Sequence, residues 1–231
     1  MFGQNELRKR ESHPNGLLQV QDIWYTLQGE GPFTGHPAVF IRLTGCNLAC
    51  WFCDTKWDDQ NDPYMDPEHI ARRAMQAGGP HCQLVVLTGG EPARQDLRTL
   101  IPDLARRFDI IQIETAGTLW QDCLDHPSVR IVCSPKTPKI HPRILAKAHA
   151  FKYVIRAEDP CDRDGLPLAS TQFKGSAARL ARPRPGAPVY LSPCDEYDQR
   201  KNADNLRMVT TGAKAHGYIA GIQLHKILGV D

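Results

Sequence analysis

Six short apolar segments, separated by helix-like or turn-rich stretches, constrain the fold of this chain most strongly. Strands that alternate with helices predict right-handed crossovers and a mainly parallel sheet. The six predicted strands begin at Ala38, Gln83, Ile110, Val129, Phe151 and Val189. Because a closed barrel of this kind has eight strands, we expect an open, incomplete (β/α) barrel of the α/β class with about six mainly parallel strands and reduced helices.

Weaker patterns complete the outline of the fold. An earlier strand is expected from Leu17 to Thr26, and Asp66-Pro67-Glu68 has the residues that start a helix. Residues 157–175 are polar and turn-rich, so we expect an irregular excursion there. A long helix from about Glu196 to Lys214 and a last strand from Ile219 to Leu224 are expected near the end of the sequence.

Length and charge indicate one domain without an obvious macromolecular partner. With 231 residues, of which 41% are hydrophobic, the chain can bury a substantial core. We expect one domain over residues 17–231, after a flexible leader over residues 1–16. The formal net charge of +2 gives no reason to expect nucleic-acid or membrane binding. The first residues lack the apolar core of a signal peptide, so we expect a cytoplasmic location.

Three of the eight cysteines, Cys46, Cys50 and Cys53, follow the strand that begins at Ala38. Thiolates at the spacing C-x3-C-x2-C can surround one metal centre, either zinc or an iron–sulfur cluster. A closed zinc site needs a fourth protein ligand, and the next cysteine is Cys82. A four-iron cluster with three thiolates would leave one iron open to a small molecule. Half of a zinc site, or a chance group of core cysteines, is the alternative.

Polar motifs follow nearly every predicted strand at its C-terminal end. In a parallel barrel these ends meet at one face, where active sites are built. The motifs occupy residues 46–55, 88–91, 114–115, 134–136 and 192–195. We therefore expect one active site at this face of the sheet.

The cysteine spacing, with Phe52 directly before Cys53, resembles the signature of the radical S-adenosylmethionine (SAM) enzymes. Gly89-Gly90-Glu91-Pro92 resembles the GGEP motif of that superfamily, although alone it would be interpreted as a strand-to-helix turn. The resemblance implies a radical SAM core in which Cys46, Cys50 and Cys53 hold a catalytic 4Fe-4S cluster. It also implies that the open iron binds SAM and that the GGEP segment holds the amino end of SAM.

Five further segments resemble a narrower family. They are Leu27-Gln28-Gly29-Glu30-Gly31, the run from Phe40 to Leu48, Cys53-Asp54-Thr55, Ser134-Pro135-Lys136 and His225-Lys226. Over about Leu17 to Asp231 the chain is similar to the 7-carboxy-7-deazaguanine synthases. This resemblance implies a carbon–nitrogen lyase that converts 6-carboxy-5,6,7,8-tetrahydropterin to 7-carboxy-7-deazaguanine, by radical ring contraction with loss of ammonia. The reaction lies on the route to 7-deazapurines, including queuosine.

The residue types on the substrate side suit this resemblance. Arg42 is a cation on an apolar strand and can pair bidentately with a carboxylate, although an ion pair with a core carboxylate would explain it equally well. Glu114 could accept hydrogen bonds from pterin N–H groups, or be an exposed acid at a strand end. The resemblance implies substrate binding by Leu27, Gln28, Gly29, Glu30, Arg42, Thr88, Glu114, His225 and Asp231.

The resemblance also implies the cofactor ligands. Thr55 would bind Mg²⁺, which accepts few protein ligands because it keeps several waters. SAM would be bound by Phe52, Cys53, Asp54, Gly89, Gly90, Glu91, Ser134, Pro135, Lys136, Ser192, Pro193, Cys194 and Asp195. Ala116 departs from the family, which commonly has Asn at this position, so one expected polar contact is absent.

A homodimer and an electron donor such as flavodoxin or ferredoxin are the partners that the resemblance implies. Two other functions stay open. A glycyl-radical enzyme activase has the same cysteine loop but needs a groove for the Gly loop of a partner protein. A non-catalytic zinc-binding protein would use the cysteines to bind a structural zinc ion that fixes a loop.

Overall fold

The computed structural model describes residues 5–56 and 61–230, and its nine strands form one sheet. The strands are β1 (Leu18–Leu27), β2 (Pro37–Leu43), β3 (Tyr64–Met65), β4 (Leu84–Gly89), β5 (Ile110–Thr115), β6 (Val129–Cys133), β7 (Ala150–Ile155), β8 (Val189–Pro193) and β9 (Ile219–Ala220). Their order is β3-β1-β2-β4-β5-β6-β7-β8-β9. Because β3 and β9 form the two edges, the sheet is open.

The six strands predicted from the sequence are the neighbours β2, β4, β5, β6, β7 and β8, and every adjacent pair of them is parallel. The open, incomplete barrel is therefore confirmed. β1 runs antiparallel to both β2 and β3. The short β3 was not predicted. The last strand was predicted too long, because β9 ends at Ala220 and a helix begins at Leu224.

The helices are α1 (Pro67–Gly78), α2 (Leu100–Ala105), α3 (Pro142–Lys147), α4 (Gln199–His216) and α5 (Leu224–Leu228). The predicted start of α1 is confirmed, since the Asp66 carboxylate accepts a hydrogen bond from the N–H of Glu68. α4 starts after Asp198, whose side chain caps it, rather than at Glu196 as predicted. Within the described ranges, no helix is both long and apolar enough to cross a membrane.

Side-chain alternation along the strands gives the sheet two different faces. Val39, Leu87 and Ile113 belong to the large cluster of buried residues that the helices cover. On the other face, Ala38 and Val86 belong to a small apolar cluster near the strand beginnings. Polar side chains replace apolar ones towards the C-terminal ends of that second face. The fold therefore brings the predicted polar motifs together.

The crossover from β7 to β8 contains turns and isolated bridges but no helix, and the structure describes all of it. This confirms the irregular excursion predicted for residues 157–175. One bridge joins Cys161 to Pro167 and another joins Ala169 to Arg179. The excursion is therefore held by short-range pairing rather than by a regular element.

The described part of the leader lies against the cysteine loop and the turn after β4. The N–H of Arg8 donates to the Cys46 carbonyl at 2.8 Å, and the N–H of Glu11 donates to the Arg94 carbonyl at 2.9 Å. The Glu11 carboxylate also pairs at 3.0 Å with the Arg94 guanidinium, which is buried. Sequence spacing does not reveal these long-range partners, and the flexible leader over residues 1–16 before a single domain over residues 17–231 stays a prediction.

Candidate active site

The C-terminal strand ends and the loops after them surround a cavity of about 430 Å³. It lies at the face where the sequence predicts the active site. Among the predicted site residues, those that line it are Leu27, Gln28, Gly29, Glu30, Arg42, Cys46, Cys50, Phe52, Cys53, Asp54, Thr55, Thr88, Gly89, Gly90, Glu114, Ser134, Lys136, Ser192, Pro193, Cys194, Asp195 and His225. Glu91 and Pro135 do not line it, and Asp231 lies outside the described residues.

The cysteine loop packs directly against Gly89 and Gly90. A Cβ atom on Gly89 would lie 2.0 Å from the Leu43 carbonyl oxygen, and one on Gly90 would lie 2.2 Å from the Gly45 carbonyl oxygen. Gly89 also has a φ of 141°, which residues with a side chain rarely adopt. These glycines therefore bring the end of β4 against the cysteine loop, in addition to the approach to a ligand that the sequence suggests.

Cys46, Cys50 and Cys53 are free thiols on the cavity wall. Burial raises the pKa of Cys46 to about 12 and also raises that of Cys53, and the nearby Cys50 sulfur adds to both increases. Neighbouring thiolates repel each other, and a positively charged metal centre would offset that repulsion. Three free thiols on one loop, facing one cavity, fit an iron–sulfur cluster with three protein ligands.

The Glu91 side chain does not line the cavity, and its contact with the ammonium group of SAM stays a prediction. Its carboxylate accepts the Thr115 hydroxyl at 2.8 Å, the Ala116 N–H at 2.9 Å and the Ala93 N–H at 3.2 Å. Burial raises the pKa of Glu91 to about 7, although these hydrogen bonds oppose the shift. Glu91 therefore ties the turn after β4 to the end of β5.

Pro135, predicted on the SAM side, does not line this cavity either. It lines a second cavity of about 420 Å³, which shares Phe52, Lys136 and Val154 with the first. Successive residues of an extended chain point to opposite sides, so Ser134 and Lys136 reach the main cavity while the Pro135 ring does not.

Arg42 lies over the indole ring of Trp24, with its guanidinium carbon 4.8 Å from the ring centroid. Trp24 in turn stacks on Phe40 with a centroid distance of 5.1 Å. Over residues 5–56 and 61–230, no carboxylate forms an ion pair with Arg42, so the alternative of a structural ion pair finds no support there. Arg42 is therefore a half-buried cation at the cavity wall. Trp24 and Phe40 were not predicted as site residues, although their alternation with Arg42 along the strands indicates the same face.

Lys152, which the sequence analysis missed, joins two predicted substrate residues. Its Nζ lies 2.7 Å from Glu30 Oε2 and 3.0 Å from Glu114 Oε2. Burial alone would raise the pKa of Glu30, but Lys152, through its charge and its hydrogen bond, outweighs burial and the pKa falls to about 2. Against burial, the two acids raise the pKa of Lys152. Two carboxylates and one ammonium leave net negative charge on this wall, which suits the N–H groups of a ligand.

The C-terminal segment packs on the loop after β1. The N–H of Leu224 donates to the Gly29 carbonyl at 3.0 Å, and the Gln223 side-chain amide donates to Glu30 Oε1 at 3.0 Å. His225 lies so close that a Cβ atom on Gly29 would be 1.9 Å from its Nδ1. Burial lowers the pKa of His225, which favours the neutral form of its ring.

The wall formed by β6 and β8 carries a half-buried cation and hydroxyl groups. The ammonium of Lys136 donates to the Ser134 hydroxyl at 2.5 Å and to the Ser134 carbonyl at 3.2 Å. Burial lowers the pKa of Lys136. The Ser192 hydroxyl is buried without a hydrogen-bond partner in the described part of the chain. At the cysteine loop, the Thr55 hydroxyl donates to Asp54 Oδ1 at 3.1 Å.

Comparisons with known proteins agree with this geometry. The radical SAM superfamily matches residues 40–161. The chain is 44% identical to the 7-carboxy-7-deazaguanine synthase of Rhodospirillum rubrum, with 100% of both chains covered. It is 34% identical to that of Rickettsia prowazekii, with 100% of this chain and 96% of the relative covered. A crystal structure of QueE from Escherichia coli has a similar fold, with a TM-score of 0.63 and 24% identity over 90% of this chain and 95% of that one. The chain therefore belongs to the 7-carboxy-7-deazaguanine synthase family of the radical SAM superfamily.

Proposed function

We propose that this protein converts 6-carboxy-5,6,7,8-tetrahydropterin to 7-carboxy-7-deazaguanine. Family membership supports the reaction, and one structural observation carries the choice of substrate. Arg42 lines the same cavity as the three cysteines and has no carboxylate partner among the described residues. A guanidinium binds a carboxylate bidentately, so Arg42 suits the acid group of this pterin. The substrate less ammonia has the composition of the product, so the overall reaction needs no external oxidant.

The radical SAM family implies a 4Fe-4S cluster and SAM. When bound, these supply the 5′-deoxyadenosyl radical that takes hydrogen from C6 of the pterin. Cys46, Cys50 and Cys53 would hold the cluster. The backbone at Gly89 and Gly90 would contact the amino end of SAM. Glu91 would hold the turn after β4 in place through its hydrogen bonds to Thr115 and Ala116.

The walls of the cavity divide the remaining roles by charge. Lys136, with Ser134 and Ser192, suits the carboxylate and ribose of SAM, because these residues supply a cation and hydroxyl groups. Glu30 and Glu114 suit the amino and ring N–H groups of the pterin, because together with Lys152 they carry net negative charge. The substrate would thus lie between Arg42 and the acidic wall, which fixes its orientation.

Thr55 is the proposed protein ligand of Mg²⁺, with Asp54 beside it. In residues 5–56 and 61–230, no three His, Cys, Asp or Glu side chains converge on a site for one ion. Magnesium usually keeps several waters and takes few protein ligands, so Thr55, water and a substrate oxygen could complete its shell. Flavodoxin or ferredoxin as electron donor, a homodimer, and a cytoplasmic location without nucleic-acid or membrane partners stay predictions.

Turnover of the named pterin by anaerobically reconstituted protein, with SAM, reductant and magnesium, tests the proposal. We expect 7-carboxy-7-deazaguanine to form. Arg42→Ala should raise the KM for the pterin at least about tenfold, because it removes charged hydrogen bonds of roughly 1.5–3 kcal/mol. The KM of Arg42→Lys for the pterin should lie between those of the wild type and Arg42→Ala, because lysine keeps the charge but loses the bidentate geometry.

A tetrahydropterin without the 6-carboxylate is the matched control for Arg42. Its binding should be equally weak in wild-type protein and in Arg42→Ala, because it offers no anion to Arg42. An unchanged KM for the carboxylated pterin in Arg42→Ala would contradict the role of Arg42. Absence of product from wild-type protein with a full cluster would contradict the proposed reaction.

The same preparation separates the other two functions. A radical SAM enzyme should be brown and hold about four irons per chain, whereas a zinc-binding protein should be colourless and hold zinc. An activase should modify a glycyl-radical protein and leave the pterin unchanged. The cavity, bounded by the C-terminal segment and Arg42, favours a small anionic substrate over a protein loop.

A further inference from the structure

Thr171 and Gln172, in the irregular crossover between β7 and β8, reach the second cysteine of the loop. The Thr171 hydroxyl lies 3.0 Å from Cys50 Sγ, and the Gln172 side-chain amide lies 3.4 Å from the same sulfur. The Trp51 N–H donates to the Thr171 carbonyl at 3.1 Å, and the Thr171 N–H donates to the Lys136 carbonyl at 3.1 Å. Although the Lys136 carbonyl is a second possible acceptor for the hydroxyl, at 3.3 Å, the sulfur is closer.

Asn5, in the leader, reaches the third cysteine. Its side-chain amide lies 3.5 Å from Cys53 Sγ and 2.6 Å from the Thr55 carbonyl oxygen. The amide has two hydrogen atoms, so it can donate to both acceptors at once. The leader is fixed beside the loop by a parallel bridge between Leu7 and Cys46.

The first cysteine also has a donor, but this donor belongs to the backbone. The Leu48 N–H donates to Cys46 Sγ at 3.4 Å within the loop itself. All three sulfurs therefore accept hydrogen bonds from the protein. Two of them depend on side chains that come from outside the barrel strands and that the proposed reaction does not otherwise use.

Hydrogen bonds to the sulfur ligands of a cluster stabilise its more negative, reduced state. Such bonds, together with charge and solvent exposure, set the reduction potential of an iron–sulfur cluster. Removing one should therefore make the midpoint potential more negative, even if the three cysteine ligands stay in place.

We propose that Asn5, Thr171 and Gln172 are positioning residues that raise the reduction potential of the cluster bound by Cys46, Cys50 and Cys53. This inference rests on the proposed function, because it requires that cluster. It gives the leader and the crossover a shared role, since each brings a polar side chain to a different sulfur. Electron delivery to the cluster, rather than binding of the pterin, is the step that these residues favour.

An EPR-monitored redox titration of the reconstituted holoprotein, without the pterin, tests this role. Thr171→Val keeps the side-chain shape and removes the hydroxyl, while Asn5→Leu removes the amide. Each should shift the one-electron equilibrium about tenfold towards the oxidised cluster, which is a midpoint about 59 mV more negative. Thr171→Ser should restore the wild-type potential, because it keeps the hydroxyl.

Ser12→Ala is the matched control in the leader, because the Ser12 hydroxyl donates to Asp96 rather than to a sulfur. It should titrate at the wild-type potential. If Thr171→Val cannot hold iron, Asn5→Leu decides the result, since Asn5 lies outside the sheet. Wild-type potentials in Asn5→Leu and in any iron-loaded Thr171→Val would overturn the inference.

Iron content and pterin turnover, measured on the same samples, distinguish this inference from the proposed function. Shifted potentials in a protein that does not convert the pterin would support the role of these donors and contradict the proposed substrate. Normal turnover with unshifted potentials would contradict the donors alone. Colourless wild-type protein that holds zinc would overturn both.

Discussion

At the scale of single residues, Lys152 determines the charge of the cavity wall that contains Glu30 and Glu114. It lies within 3.0 Å of two carboxylates that would otherwise repel each other in a buried site. The ammonium between the two acids offsets their repulsion, and each carboxylate can still accept hydrogen bonds from a ligand. The same arrangement makes Glu30 a source of folding stability that depends on pH.

Glu30→Gln should remove that dependence. The pKa of Glu30 falls from 4.5 to about 2 on folding, so its contribution is fully present above about pH 4.5 and is lost as the pH falls towards 2. A shift of this size corresponds to about 3 kcal/mol of unfolding free energy. Urea unfolding of the apo-protein should show the wild type more stable than Glu30→Gln near pH 6, with the difference shrinking as the solution is acidified.

Glu68→Gln serves as the control, because Glu68 is an exposed acid on α1 whose two ion pairs, with Arg72 and Arg107, are both long at 3.9 Å. Its unfolding free energy should follow the wild-type curve at each pH. A constant difference between wild type and Glu30→Gln across the pH series would show that Lys152 does not lower the pKa of Glu30.

Sequence reasoning at this scale found Arg42 but missed Lys152, although both are cations on apolar strands. Arg42 was noticed because it lies four residues before Cys46, whereas Lys152 has no motif beside it. The alternation of residues along β7 would have placed Lys152 on the cavity face. For Glu91 the sequence reveals the motif but not the direction of the side chain. That direction depends on a hydrogen bond with Thr115, which is distant in sequence.

At the scale of elements, α5 shows how a distant contact changes a local preference. The apolar residues from Ile219 to Leu224 favour a strand, yet the strand ends at Ala220. Leu224 instead starts a helix, and its N–H donates to the carbonyl of Gly29, which is distant in sequence. No local pattern encodes that contact, so the sequence could predict β9 but not its end.

Gly29→Ala should displace the His225 side chain, which belongs to α5. A methyl group at Gly29 would overlap the His225 ring, so that ring must move to accommodate it. We expect the KM for the pterin to rise at least about tenfold, because a loss of about 1.4 kcal/mol of binding free energy is enough for that change. The cluster content should stay unchanged. Steady-state kinetics together with iron analysis measure both quantities.

Gly212→Ala is a suitable comparison, because Gly212 lies inside α4 and an added Cβ would only touch the end of a Leu191 side chain. Alanine also favours a helix interior over glycine. This variant should keep the wild-type KM. If Gly29→Ala also keeps the wild-type KM, the position of the His225 ring does not contribute to substrate binding.

At the scale of the whole molecule, segments outside the six parallel strands complete the site. The sequence predicted those strands, their parallel pairing and the meeting of their polar ends, because each strand carries its own apolar pattern. It did not predict that the leader and the crossover would contact the cysteine loop. Their contacts join residues such as Asn5 and Cys53, which are 48 positions apart, and leave no periodic signal.

Deleting residues 1–12 should therefore reduce iron retention by the cysteine loop more than it reduces the stability of the sheet. The deletion removes the Arg8 hydrogen bond to Cys46 and leaves the buried Arg94 without Glu11. We expect iron to be lost to a chelator severalfold faster, with a modest decrease in stability of about 1–3 kcal/mol. Iron release followed by absorbance, and thermal unfolding of the same samples, measure the two effects.

Glu11→Gln provides the comparison for this deletion, since it keeps the leader and removes only the ion pair. It should release iron at nearly the wild-type rate. Equal rates in wild-type protein and in the deletion variant would show that the leader does not support the loop.

The hydrogen bonds of Glu91 have a consequence for how relatives of this protein can diverge. Its carboxylate holds the main-chain N–H at position 116, whichever side chain that residue bears. The backbone there can stay in register while the side chain is exchanged. Ala116 lines the cavity, so a replacement there can alter the cavity wall without rebuilding the loop that carries it.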